Sequence, residues 1–286
     1  MKKILITGAN SYIGTSFEKF IKKNAPNEYI IDTIDMVGDS WKQKDFSTYD
    51  TVFHVAGIAH QKETADNAHI YYKINRDLVF EVANKSRHEG VRQFVFMSSM
   101  SVYGCEEGII SKNTTPAPKS CYGASKYEAE LMLRDIEGEK FKVCIIRPPM
   151  VYGNGCKGNF NVVCKMVNRI PVFPYVKNHR SMIYVDNLSA FVKMVIDKEI
   201  SGTYMPQNKE YTQTSNMASI IANALGKRLY MSRFLGCLVV LSKPFLSLSR
   251  KAFGTLKYED VEAFDFSYCV VGMVDSYILS VCDKED

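Results

Sequence analysis

Short apolar runs alternate with stretches of helical spacing through the first half of the chain. Lys3 to Thr7 reads as a short buried strand, Gly8 to Gly14 as a turn, and Ile13 to Lys23 as a helix with one apolar face. A second strand is predicted over 28–34, ending at Asp35, and a short one over 41–46; Thr51 to Ala56 forms the next, closed by Gly57. A long helical region covers 65–89, with Gly90 as its stop. Residues 92–98 make a strand that delivers Ser99, and Pro116 and Pro118 mark a loop before a helix over 121–137. The strand over 141–147 ends at Pro148 and Pro149. This alternation argues an α/β fold, a doubly wound parallel sheet with right-handed crossovers.

After Pro149 the pattern loosens into the glycine-rich loop 151–158, where a ligand can approach backbone closely and Asn154 is a candidate substrate contact. A helix follows to about Asp197 and is expected to return to the main sheet. The chain is therefore expected to hold a dinucleotide-binding (Rossmann) domain over 1–150, rejoined by 181–197. Residues 151–180 and 198–286 form a smaller C-terminal substrate-binding lobe.

Composition narrows the function classes. With 46% hydrophobic and 23% charged residues the chain is ordinary for a soluble enzyme, and its +5 net charge is dispersed, so no nucleic-acid partner is expected. The eight cysteines show no C-x-x-C pair and no zinc spacing; reduced thiols, a cytoplasmic location and no metal follow as expectations. Met1-Lys2-Lys3 leads straight into a strand too short for a signal-peptide core, so the mature chain is expected to start at Met1. The apolar run 234–246 is broken by Lys243 and Pro244, which disqualifies it as a span. Core packing is the plain reading; Arg233, Lys243, Arg250 and Lys251 keep peripheral membrane contact through 234–251, or a subunit interface, as the alternative.

The turn Gly8, Ala9, Asn10, Ser11, Tyr12, Ile13, Gly14 follows a strand and opens a helix, whose free N–H groups and dipole suit a pyrophosphate. Ser11 stands where a middle glycine is usual, and its hydroxyl is a replacement donor. Asp35, with Asp32 as the alternative, is placed to bind both ribose hydroxyls and repel a 2′-phosphate, favouring NAD over NADP. Asp45 and Phe46 would flank the adenine, and Val55, Ala56 and Gly57 would pass beneath the cofactor. His54 reads as a satisfied core histidine.

Tyr122 and Lys126 lie four residues apart on one helix face, so the ammonium can lower the phenol's pKa, ordinarily about 10. Ser99 can hold the same substrate oxygen. Together they are the hardware for moving a proton alongside a hydride.

These residues, with Asn75, Ser98, Val102-Tyr103-Gly104, Arg147-Pro148-Pro149 and Tyr184-Val185-Asp186, make the chain resemble the extended short-chain dehydrogenase/reductase superfamily. The resemblance is to its NAD-dependent epimerase/dehydratase branch, which acts on nucleotide sugars. It implies Tyr122 as general acid/base, Lys126 on the nicotinamide ribose and Ser99 on the reacting hydroxyl. It also implies Ser98, Arg147 and Pro148 at the cofactor, Asn75 as a structural or water-organising residue, and Arg180 on the substrate diphosphate. Met100-Ser101 replaces the acidic pair of the 4,6-dehydratases and the cysteine of fucose-pathway epimerase-reductases, disfavouring both chemistries. A UDP-sugar 4-epimerase is the leading reading, and the short span between Asp35 and Thr51 keeps an NAD(P)H-dependent keto-sugar reductase behind it. The alternative of another class is a catalytically silent dinucleotide-binding regulator, supported by Ser11 and by the poor family match of 270–286. A homodimer through helices 65–89 and 121–137 is also implied.

Overall fold

A computed structural model describes residues 1–59, 63–259 and 266–282. Its elements run, in order, β1 (Lys2–Thr7), α1 (Tyr12–Asn24), β2 (Tyr29–Ile34), β3 (Thr51–His54), α2 (Ala68–Tyr72), α3 (Leu78–His88), β4 (Gln93–Met97), β5 (Gly108–Ile110), α4 (Cys121–Ile136), β6 (Lys142–Ile146) and β7 (Met150–Tyr152). Then come α5 (Asn159–Arg169), β8 (Val172–Pro174), β9 (Met182–Tyr184), α6 (Val185–Asp197), β10 (Gly202–Tyr204), α7 (Thr214–Ala224), β11 (Tyr230–Ser232), α8 (Arg233–Ser242), α9 (Ser247–Phe253), β12 (Leu256–Tyr258) and α10 (Met273–Cys282).

Six strands form one parallel sheet in the order β10-β6-β4-β3-β1-β2. From β1 the chain steps one way to β2 and then returns past β1 to β3, so strand order reverses there, the place where doubly wound sheets bind ligands at their carboxyl ends. The register pairs Thr7 with Ile34 on one side and with His54 on the other, bringing the β1 turn level with the ends of both neighbours. Leu5, Val52, Phe94, Phe96, Val143 and Ile145 fill one face against Val79, Val82, Ala129 and Leu133 of the helices.

The chain divides into two compact units, one of residues 1–104, 115–148 and 188–206, the other of 105–114, 149–187 and 207–286. The second unit contains three parallel strand pairs, β7 with β9, β8 with β11 and β5 with β12. Tyr152, Phe160 and Tyr277 stack at its centre, their ring centroids 5.0 to 6.5 Å apart. Tyr152 bonds Ser276 at 2.6 Å and accepts from Asn208 Nδ2 at 2.9 Å, so α10 is part of this core even though the 270–286 sequence matches the family poorly.

Two local expectations change. Residues 41–46 form no strand: Ser40–Gln43 is a 3-10 turn that drives Trp41 into the core, the bulky indole gaining more from burial than an edge strand would. The helix over 65–89 is split by a π turn at Lys73–Asp77 that carries Asn75 inward, a helix irregularity of the kind common at functional sites.

Candidate active site

The β1 turn is shaped so that no side chain fits in it. Gly8 has φ +114°, and a Cβ there would sit 2.8 Å from the Ala56 nitrogen. Asn10 takes the left-handed region at φ 63°, which its short polar side chain tolerates. Ser11 is the N-cap of α1, accepting the Gly14 N–H at 3.2 Å, so the serine in place of glycine holds the helix start rigid. A Cβ on Gly14 would come within 2.7 Å of the same Ser11 oxygen. Tyr12 and Ile13, both half-buried, open a helix with no acidic side chain in its first turn, leaving its dipole unopposed.

Gly8 and Ala9 donate to the Ile34 carbonyl at 2.9 and 3.0 Å, and Val55 and Ala56 donate to Thr7 at 3.1 and 2.9 Å. Asp35 thus stands directly beside the turn, exposed, accepting the Val37 N–H at 3.1 Å. Asp32, the alternative, is turned to the Tyr49 hydroxyl at 2.5 Å. Asp45 is exposed and folds onto Ser47, whose hydroxyl holds its carboxyl below the usual range. Phe46, expected with Asp45 to flank the adenine, has its ring fully buried in the core, 5.0 Å beneath Lys85 Nζ.

The strand-tip hydroxyl, the phenol and the ammonium all gather at the carboxyl end of β4. Ser99 caps the 3-10 turn Met100–Tyr103, its Oγ accepting the Ser101 N–H at 3.1 Å and donating to Ser101 Oγ at 3.1 Å, and it stands near enough to Tyr122 to favour the phenol's anion. Ser120 caps α4 from the Gly123 N–H, and Glu63 accepts the Cys121 and Tyr122 N–H groups at 2.9 and 3.0 Å, which fixes the turn that presents the phenol. Glu63 lies in a loop and has no signal in the sequence. Lys126 is buried, donating to the Met97 carbonyl at 2.9 Å and lying 4.7 Å over the Phe96 ring. Burial lowers its pKa to about 7, with Glu130 opposing. The expected depression of Tyr122 is not met: burial raises this phenol above 10, the nearby Ser99 hydroxyl only partly offsetting it.

Gly57 lies where a Cβ would meet Asn75 Oδ1 at 2.9 Å and Lys126 Nζ at 3.2 Å. Asn75 is a clamp, accepting the Ile58 N–H at 2.9 Å and donating to its carbonyl at 3.0 Å. His54 is buried and bonded to Thr7 through Nδ1 at 2.7 Å, while its Nε2 has no partner among the described residues. Burial brings its pKa down to about 3, which keeps it neutral.

Behind the site lies a buried polar network. Glu130 is held by Arg147 through Nε at 2.9 and 3.1 Å and through Nη2, and accepts from Ser98 Oγ at 2.5 Å. Arg147 Nη1 donates to the Tyr103 hydroxyl at 2.7 Å. Ser98 and Arg147, both expected at the cofactor, are engaged by their side chains in this buried network. Pro148 is buried too, its carbonyl accepting the Met100 N–H at 2.9 Å and so bracing the Ser99 turn. Glu130 was legible only as a carboxylate one turn beyond Lys126.

Asn154 and Arg180 belong to the second unit and line separate hollows. Asn154 is exposed at a cleft of about 300 Å³ that also holds Cys156, Cys164 and Asn168. Arg180 is buried against a cavity of about 10 Å³, with Met150, Phe160, Thr214 and Lys251. Its Nη1 donates to the Gly254 carbonyl at 3.0 Å, its Nε has no partner among the described residues, and burial lowers its pKa.

Residues 4–205 match the NAD dependent epimerase/dehydratase family. The chain belongs to that family. UDP-glucose 4-epimerase of Vibrio cholerae is 28% identical over 79% of this chain and 76% of its own length. N-acetyl-alpha-D-glucosaminyl-diphospho-ditrans,octacis-undecaprenol 4-epimerase of Escherichia coli O157:H7 is 26% identical over 77% and 70%. Among solved structures, UDP-glucuronic acid 4-epimerase from Bacillus cereus, in complex with NAD, superposes with a TM-score of 0.75 at 19% identity, covering 98% and 96% of the two chains. Like its family, this is an NAD-dependent enzyme, and the β1 turn fits the cofactor: it opens directly into the N-terminus of α1, whose first turn carries no acidic side chain to oppose a pyrophosphate. Among the described residues no helix is long and apolar enough to cross a membrane, and no three His, Cys, Asp or Glu gather as a metal site.

Proposed function

We propose that this family member is a 4-epimerase of a diphosphate-linked sugar, working by transient oxidation of a ring hydroxyl. The observation that carries the reading is the placing of the Ser99 hydroxyl near Tyr122, with Lys126 buried on the same helix and bonded to the Met97 carbonyl at 2.9 Å at the same strand end, in a chain whose relatives include named 4-epimerases. Gly8, Asn10, Ser11, Tyr12, Ile13, Gly14, Asp35, Val55, Ala56 and Gly57 would hold NAD, with Lys126 at its ribose. When bound, NAD accepts and returns the hydride.

Ser99 orients the substrate hydroxyl, and Tyr122 receives its proton. Burial favours the protonated phenol, so taking the substrate proton requires Tyr122 first to give up its own to solvent; the nearby Ser99 hydroxyl favours that anion, and so does any positive charge brought beside it. Glu63, by holding the first amides of α4, keeps the phenol in place for both proton transfers. Arg180, whose Nε has no partner among the described residues, would recognise the diphosphate whatever it carries, a uridine or the lipid of the Escherichia coli relative's substrate. A homodimer built on α3 and α4 belongs to the same reading.

The test incubates the protein with NAD and UDP-glucose or UDP-N-acetylglucosamine, and separately with NADH or NADPH and their 4-keto derivatives, following product stereochemistry and reduced nicotinamide. Isomerised sugar without net cofactor consumption supports the epimerase. Stoichiometric consumption of NADH or NADPH by a keto-sugar, with no isomerisation, would replace it with a reductase.

A further inference from the structure

Helix α8, in the second unit, is attached by its backbone and shows its side chains outward. The residue it buries is Gly236, where a Cβ would fall 2.0 Å from the Tyr175 carbonyl oxygen, so helix and chain touch main chain to main chain. Phe234, Leu238 and Leu241 follow the four-and-three spacing of one helix stripe, and Phe245 continues it past the helix end. A helix covering its own domain would bury that stripe. Here Phe234 is 72%, Leu241 69% and Phe245 85% exposed.

The sequence that carries the stripe has charge of one sign. Between Tyr211 and Tyr258 the sequence has seven Lys or Arg and no Asp or Glu; with a chain total of +5, everything else carries −2. Lys243 and Arg250 are matched by Glu107 and Glu106 at 3.1 and 2.6 Å, whereas Arg228 and Arg233 stand exposed beside the start of α8. A two-fold pairing of this face with a second copy would set the same cations against each other. An anionic bilayer complements both the stripe and the charge. At ten residues α8 is about 15 Å long, half a membrane's apolar thickness, which suits it to lie in the interface and not to cross.

We propose that α8 and the turn into α9 seat this protein on an anionic membrane surface, with Phe234, Leu241 and Phe245 entering the interface and Arg228 and Arg233 meeting headgroups. α9 follows directly and supplies Lys251 and Ala252 to the small cavity against which Arg180 is buried.

The test is co-sedimentation of the full chain with vesicles of phosphatidylcholine alone or mixed with phosphatidylglycerol, without cofactor or sugar, so that the result bears on docking and not on the proposed chemistry. The protein should pellet with the mixed vesicles, and added salt should release it. Replacing two exposed apolar anchors in Leu241→Ser/Phe245→Ser should weaken binding at least roughly tenfold. Arg228→Gln and Arg233→Gln should each weaken it about fivefold. All four positions are exposed, and unchanged circular dichroism checks that the variants fold. Failure of the wild type to pellet, or equal pelleting of wild type and variants, overturns the proposal. So does light scattering that shows a wild-type dimer split by Leu241→Ser/Phe245→Ser, which would make the face a contact between copies.

Discussion

Replacing Glu130 with leucine removes the carboxylate that is paired with buried Arg147 Nε, and it also strips Ser98 of its acceptor. A buried cation that keeps its burial and loses its anion typically costs about 3–5 kcal/mol. Spread over the unfolding entropy of a 286-residue chain, this is a fall in Tm of about 5–8 °C. Arg147→Met leaves the carboxylate stranded instead and should cost a similar amount. The double variant Glu130→Leu/Arg147→Met removes both charges, so it should be less destabilised than the two single effects added together, and less than Glu130→Leu alone. Urea unfolding followed by circular dichroism gives all four free energies. A Glu130→Leu cost below about 1 kcal/mol, or a double variant equal to the sum, would show that the network contributes little and that the reasoning about its burial is wrong.

Lys126 gives a pH prediction. Its folded pKa of about 7 lies below the ordinary 10.5, so between those values the unfolded chain binds the proton that the folded chain has lost. Wild-type stability relative to Lys126→Met should therefore rise as pH increases through that window, and parallel urea midpoints across it would contradict the assignment. Gly8→Ala forces a side chain to φ +114° against the Ala56 backbone; about 1–3 kcal/mol of stability and measurable NAD binding should both be lost, read by urea unfolding and fluorescence titration. Asp35→Ser should weaken NAD roughly tenfold while weakening NADP less, and unchanged selectivity in the same titration would remove Asp35 from the ribose.

The parallel sheet was legible because each strand is a short apolar run closed by a turn residue, and the β1 turn because Gly8 and Gly14 bracket a helix start. What the linear pattern could not carry was the direction each polar side chain takes once its strand is buried on both faces. Ser98 and Ser99 are neighbours, yet strand alternation sends one inward to Glu130 and the other to Tyr122. Arg147 and Phe46 likewise sit next to residues at the site but point into the core. Lys126 and Tyr122 share a helix face as expected, but the nearest acceptor for the ammonium is the Met97 carbonyl, a tertiary partner that spacing along α4 does not encode. Glu63 at the α4 N-terminus comes from a distant loop and was invisible for the same reason.

The central claim is that Tyr122 moves the substrate proton. Tyr122→Phe keeps the ring and deletes the hydroxyl. In paired measurements of NAD affinity and sugar isomerisation, the affinity should stay within about twofold while the rate falls by about 10²–10⁴. A variant that binds NAD equally well and isomerises within tenfold of wild type would contradict the account.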